Sequence, residues 1–168
     1  MFGKMKKIKL SQHGKNKSKF VALVDDEDFE YLNQFKWCVS QNVIHHYAIR
    51  VIYNPCKKIL WMHRIIMNTP DGMETDHKDR NGLNNQKSNL RVCTRLQNVR
   101  NSIGHSNSGY KGVCQQGKNQ IVAHINIRTK TSKRKIYLGS FKTIIDAACA
   151  YDEATKKYFG EYGYLNFK

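Results

Sequence analysis

The sequence predicts an α+β protein of two modules joined by a short linker, and three observations carry the prediction. Residues 73–101 read as a short strand, a polar loop rich in Asn and Gly, a second strand and the start of a helix. Residues 102–108, SIGHSNS, are small and polar, and the composition shifts after them. Residues 109–168 read as three antiparallel strands followed by one helix, which folds as a two-layer unit. The expected division is therefore 1–101, a linker at 102–108, and 109–168.

The elements before the loop follow from local pattern. Residues 1–19 are Lys-rich, with an apolar alternation only around Ile8 and Leu10, and read as a basic arm leading into a strand. Phe20–Val24 is an apolar strand. Asp25–Phe35 begins with acidic residues and spaces Phe29, Leu32 and Phe35 helically, so a short surface helix is expected, its acids complementing the helix dipole. Strands are expected at Lys36–Ser40, His46–Tyr53 and Lys57–Met62, separated by Gln41-Asn42 and Asn54-Pro55. Their aromatic and β-branched residues suggest a small sheet packed on the hairpin that follows. Arg64 and Lys57-Lys58 could line a nucleic-acid groove or a solvated face.

The chemistry of the central stretch lies in a spacing. Asp76 and His77 are adjacent, and Asn89 and Asn98 follow the histidine by 12 and 21 positions. The strand, loop, strand and helix reading would bring these four together. An imidazole titrates near neutral pH and can take a proton from water. Asp76 and Asn98 offer hard oxygen donors of the kind Mg²⁺ accepts, with most of its shell left to water and substrate phosphate. The fitting reaction is metal-assisted hydrolysis of a phosphodiester. Asp79, Asn81, Asn84 and Asn85 read as loop structure, since Asn and Asp satisfy backbone groups and tolerate positive φ.

The run Asp76-His77, Asn81-Gly82-Leu83-Asn84-Asn85, Ser88-Asn89-Leu90-Arg91 and Gln97-Asn98 resembles the HNH (ββα-metal) endonucleases. It is most similar to phage homing endonucleases whose last motif residue is asparagine. The resemblance implies a ββα-metal nuclease fold with His77 as general base. It implies one divalent metal, Mg²⁺ or Mn²⁺, on Asp76 and Asn98, and an Asn89 that orients His77 or contacts the scissile phosphate. It also implies a phage-encoded protein acting in the bacterial cytoplasm.

In the second module, strands are expected at Tyr110–Gln115, Gln120–Arg128 and Lys135–Phe141, with turns at 116–119 and 129–134. Thr143 is the N-cap of a helix, with Asp146 three residues on. Ile144, Ala147, Ala148, Tyr151, Thr155 and Tyr158 line one helical face, and Gly160 stands where a C-cap belongs. Tyr110-Lys111-Gly112-Val113, Tyr137-Leu138-Gly139-Ser140-Phe141, Ala147-Ala148, Ala150-Tyr151-Asp152 and Leu165-Asn166-Phe167 resemble the plant ethylene-response-factor (APETALA-type) DNA-binding domain. That resemblance implies a sheet inserted in the major groove. The residues expected to face DNA are Lys111, Gln115, Gln116, Asn126 and Arg128, with Lys130, Lys133, Arg134 and Lys135 on phosphates.

Composition agrees with a nucleic-acid partner. The formal net charge is +16 over 168 residues, with 18 Lys+Arg against 9 Asp+Glu in residues 1–104 and 11 against 4 in 105–168. No long apolar run or secretory h-region appears, which argues against a membrane partner. Five widely spaced cysteines without a C-x-x-C argue against a disulfide framework or a structural zinc. Among the histidines, His77 alone has a motif, and His63, inside the apolar run Ile59–Met67, reads as core or supporting. The expected whole is a monomeric, sequence-directed endonuclease that nicks one strand of double-stranded DNA first, without a small-molecule cofactor. The alternatives are a non-cleaving DNA-binding regulator and an RNA-binding module.

Overall fold

The computed structural model describes residues 4–11, 20–40, 46–104, 106–116, 120–129 and 131–167. By their contacts they separate into two compact units, Met1–Thr94 and Arg95–Lys168. The division falls ahead of the 102–108 stretch expected as linker.

In the first unit β1 (Met5–Lys9) pairs antiparallel with β2 (Val21–Asp25), which runs straight into α1 (Asp26–Asn33). Only residues 4–11 of the expected basic arm are described. Next come β3 (Cys38–Val39), β4 (Ala48–Tyr53) and β5 (Lys57–Trp61), a three-stranded antiparallel sheet in that order. The chain then turns into α2 (Met62–Ile66), an element the sequence reading lacked. The apolar run Ile59–Met67 suits a strand or a helix equally, and tertiary packing decides: Met62 is fully buried at the end of β5. Ile8, Leu10, Ala22, Val24, Leu32, Trp37, Ala48 and Met62 form one core joining β1, β2, α1, β4 and α2.

The hairpin of β6 (Glu74–His77) and β7 (Leu90–Cys93) is antiparallel, with Asp76 opposite Arg91 and His77 opposite Leu90. Its loop is stitched to β2. The Leu23 N–H donates to Leu83 O and the Asn85 N–H to Leu23 O, each at 2.8 Å. The acids opening α1 do more than complement its dipole, and Asp25, at the N-cap, makes no side-chain cap bond. Its carboxylate instead accepts the Lys87 N–H at 2.7 Å and the Gln86 amide at 3.3 Å. Lys87 Nζ reaches Glu27 at 2.5 Å and Asp28 at 3.2 Å. Arg64 spends its guanidinium on the carbonyls of Met73, Thr69 and Pro70, which fixes the turn into β6.

The second unit begins with α3 (Arg95–Arg100) and continues with β8 (Val113–Gln116), β9 (Gln120–Arg128) and β10 (Lys133–Phe141). These strands form an antiparallel sheet with β9 in the middle. The helix α4 (Ile144–Phe159) crosses one face, burying Ala147, Ala148, Tyr151 and Ala154 against Val113, Ala123 and Ile125. Thr143 caps it as expected: its hydroxyl accepts the Asp146 N–H at 3.1 Å and donates to the Asp146 carboxylate at 2.7 Å. Gly160, at φ 55°, ends it. Close approach of helix to sheet requires Gly112: its φ is +80°, and a Cβ there would lie 1.9 Å from Tyr151 Cδ2. Buried Asp152 fastens the last segment by accepting the N–H groups of Asn166 and Phe167 at 2.8 and 2.9 Å. α3 belongs with this unit because its end is held there. Lys111 Nζ donates to Arg100 O at 2.8 Å, Tyr164 N–H to the same carbonyl at 3.2 Å, and the Arg100 guanidinium lies 4.6 Å over the Phe159 ring.

Among the described residues, no helix is long and apolar enough to cross a membrane. The five cysteines are free thiols.

Candidate active site and nucleic-acid interface

Asp76 and His77 end β6 and are buried, 5 % and 4 % exposed. Strand alternation sends their side chains to opposite faces, so they enter different surroundings. Asp76 is opposite Arg91, whose Nε and Nη2 both donate to Oδ2, at 2.8 and 2.5 Å. The cation balances a carboxylate that burial would otherwise penalise. Near Asp76 and away from water, the Cys93 thiol is pushed up to about 11.

His77 sits among rings. His63 lies edge-on at 5.1 Å between centroids and Tyr47 at 5.8 Å, with Trp61 behind His63 at 5.8 Å. Burial lowers the His77 pKa, partly opposed by the hydrogen bond to Asn85 and by Asp79 and Asp76, so the ring is neutral at pH 7. Burial, then the neighbouring His77 and Arg64, lower His63 further, to about 3. The His63 Nδ1 is buried with no hydrogen-bond partner among the described residues.

The amide on the His77 ring is that of Asn85, not of Asn89. His77 Nε2 and Asn85 Oδ1 are 3.2 Å apart, and Asn85 is wholly buried. Asn89 instead closes the loop. Its Nδ2 donates to Asp79 Oδ1 at 2.9 Å and to Asn84 O at 2.8 Å, and its Oδ1 accepts the Asp79 N–H at 3.0 Å. Burial raises the Asp79 carboxyl, but hydrogen bonds from Asn84, Asn81 and Asn89 together outweigh it and hold the group below its usual range. Asp79 and Asn84 thus serve the loop as expected, whereas Asn85, expected to do the same, reaches His77. A sequence cannot separate these asparagines, because any of them satisfies a turn. Arg91, Tyr47 and His63 were likewise silent or only weakly marked. Asn98, the fourth motif position, lies on α3 in the second unit. Among the described residues no group of three or more His, Cys, Asp or Glu converges as a metal site.

In the second unit, pairing register sorts the residues expected on DNA. Directly opposed residues share a face and neighbours along a strand alternate. Asn126 opposes Lys135, Arg128 opposes Lys133, and His124 opposes Tyr137. Together with Gln116 they occupy the face away from α4, and Gln116, Asn126, Arg128, Lys133 and Lys135 are exposed. Gln115 opposes Ile121 and Arg134 opposes Ile127, both of which pack toward α4. Gln115 and Arg134 are exposed as well, on the side of the sheet that carries α4. Lys111 is half-buried, its ammonium on the carbonyls of Arg100 and Ser102. Lys130 lies outside the described residues. α3 and β9 border a cleft of about 610 Å³ whose lining includes Arg95, Arg128, Lys133, Tyr151 and Phe159.

Comparison with known proteins follows this division of labour. Residues 61–100 match the family model of an HNH endonuclease. An uncharacterized HNH endonuclease of Acanthamoeba polyphaga mimivirus is 29% identical over 159 residues, covering 91% of this chain and 78% of that protein. Dehydration-responsive element-binding protein 2A of Oryza sativa subsp. japonica is 41% identical over 63 residues, which is 38% of this chain and 22% of that protein. Dehydration-responsive element-binding protein 2D of Arabidopsis thaliana is 33% identical over 87 residues, 51% of this chain and 41% of that protein. The chain thus spans less than half the length of these plant relatives. No solved structure matches. The two HNH likenesses support a nuclease.

Proposed function

We propose that the protein is a homing-type endonuclease that hydrolyses a phosphodiester of duplex DNA, acting as a monomer and nicking one strand first. The observation that carries this reading is the buried Asp76–His77 pair at the end of β6. One is a carboxylate engaged on one oxygen by Arg91, the other an imidazole that burial keeps uncharged and able to accept a proton.

One carboxylate cannot cage Mg²⁺ or Mn²⁺ by itself, but it fits an ion that keeps waters and shares substrate phosphate. Asp76 would be its protein carboxylate. When bound, it supplies charge stabilisation at the phosphate and at the departing oxygen. His77 removes the proton from the attacking water, and Asn89 holds the loop that presents His77. The ends left are 3′-hydroxyl and 5′-phosphate.

The outer sheet face of the second unit, with Gln116, Asn126, Arg128, Lys133 and Lys135, would dock the duplex in the manner of the ethylene-response-factor domains. Likeness to the plant element-binding proteins and the +16 net charge support this. The setting that goes with the reading is a phage gene product in the bacterial cytoplasm.

The test is incubation of supercoiled plasmid libraries with Mg²⁺ or Mn²⁺, using the protein and its His77→Ala variant. Nicked circles from the unaltered protein alone are expected. Tight duplex binding by both proteins with no cleavage in either ion would replace this reading with that of a non-cleaving DNA-binding regulator.

A further inference from the structure

β9 is paired with β10 from Ile121 to Arg128, but with β8 only from Gln120 to Ala123. The His124 N–H still donates to Gly112 O at 2.9 Å. There the neighbouring chain leaves the sheet, since the Lys111 N–H donates to Asn166 Oδ1 and its carbonyl accepts from Asn166 Nδ2, at 2.8 and 3.2 Å. The main-chain groups of a strand point alternately to its two edges. Thr129 N–H donates to Ser132 O in the turn to β10, so odd positions face β10 and even positions face the edge that β8 has left. The Arg128 carbonyl confirms this, because the Arg100 guanidinium reaches it from α3 at 3.5 Å. The Asn126 N–H and C=O and the Arg128 N–H point the same way and have no partner among the described residues.

This bare edge opens into the cleft of about 610 Å³, a size within the range of about 300–1,000 Å³ that small-ligand sites occupy. Asn126, from the outer sheet face, and Tyr151 and Phe159, from α4 on the other face, line the same space, as an opening at a strand edge requires. Leu96 and Val99 of α3 add apolar surface. Five cations line the cleft and no carboxylate does. Arg100 and Lys111 are engaged on carbonyls. Arg95, Arg128 and Lys133 are exposed and enter no ion pair among the described residues. A cleft lined by one sign of charge concentrates ligands of the other.

We propose that this cleft binds an unpaired nucleotide. Its phosphate meets Arg95, Arg128 and Lys133. Its base sets a donor and an acceptor against the Asn126 C=O and the Arg128 N–H, and lays its ring against the apolar lining. An acidic peptide would satisfy the cations too, but a peptide that adds a strand depends on main-chain bonds along an edge, and only residues 126–128 are bare here. In a paired duplex the pairing edge of every base is already occupied. The nucleotide is either a free mononucleotide or one turned out of a DNA strand, and the recognising chemistry is the same. The site stands apart from the nuclease reading, although Arg128 and Lys133 also belong to the outer sheet face.

The experiment is a titration of the ¹⁵N-labelled, metal-free full-length protein with dAMP. The Asn126 and Arg128 amides should shift, that of Arg128 downfield as its N–H gains an acceptor. Arg95→Glu and Val99→Glu, both at exposed positions, should each weaken binding about ten-fold or more. Two competitors then identify the source, a duplex with one unpaired adenine and the same duplex fully paired. Stronger displacement of dAMP by the first assigns the site to a nucleotide turned out of DNA, and displacement by neither assigns it to a free mononucleotide. Equal displacement by both would make the cleft part of the duplex-docking face and overturn the proposal. So would an absent shift with dAMP, an equal response to inorganic phosphate, or a response to an oligoglutamate peptide alone.

Discussion

Asp25, at the junction of β2 and α1, accepts the backbone N–H of Lys87 at 2.7 Å and so clamps the far end of the loop that presents His77. The clamp is a carboxylate on a main-chain donor, and a charged acceptor makes such a bond stronger than a neutral one. The loop is thereby fastened to β2 at Leu83, Asn85 and Lys87 in turn.

Replacing Asp25 with Ala should cost the first unit about 1.5–3 kcal/mol, the range for a hydrogen bond to a charged group. Amide exchange should accelerate at Lys87 and Asn85 more than in the core strand β4. Uniform acceleration, or none, would show that the loop holds its shape without the clamp.

Arg91 matters to Asp76 in a different way. Arg91→Met keeps much of the stem but takes the guanidinium from a buried carboxylate, which should destabilise the unit by about 3 kcal/mol or more. Chemical denaturation of Arg91→Met, Asp76→Asn and the double variant checks this. The double variant should be more stable than the sum of the singles predicts, and strict additivity would deny the pairing.

His63 makes stability depend on pH. Its folded pKa is about 3 against about 6.5 in an unfolded chain. Above pH 6.5 neither state carries the proton, and the contribution of His63 to stability is intact. As pH falls from 6.5 toward 3 the unfolded chain takes up a proton that the folded one refuses, so stability falls by about 1.4 kcal/mol per pH unit. His63→Phe, a ring of similar size, should remove about one proton from the pH slope of unfolding between pH 6 and 4. Identical slopes in the two proteins would mean that His63 titrates normally.

The outer sheet face gives a comparison within one strand. Lys135→Ala should weaken duplex binding and lower the salt slope by about one, while Arg134→Ala, one residue away on the α4 side, should change both much less. Equal losses would place DNA contact at the β9–β10 turn instead of across the face.

Sequence pattern was enough for the order of the strands, the β6–β7 hairpin, and α4 with Thr143 at its start and Gly160 at its end. Caps, alternation and helical spacing are local, and local chemistry sets them. It was enough, too, to single out Asp76 and His77, since adjacency and spacing are properties of the chain. The α2 turn at Met62 was not legible, because a short apolar run has no period of its own and the core chose for it.

What Asn85 and Asn89 do was decided elsewhere. Both are asparagines in one loop, and each could have met the histidine. Leu23 on β2 holds the main chain at Leu83 and Asn85, which turns Asn85 inward to His77, and Asp79 occupies Asn89. The placement of α3 was decided in the same way, by Lys111, Tyr164 and Phe159, residues that follow it in the chain. The sequence alone determined which reactive groups the protein has and the local elements that bear them. Only the tertiary structure decided which partner each group meets, because hydrogen-bond partners distant in sequence are chosen by packing and leave no periodic trace in the chain.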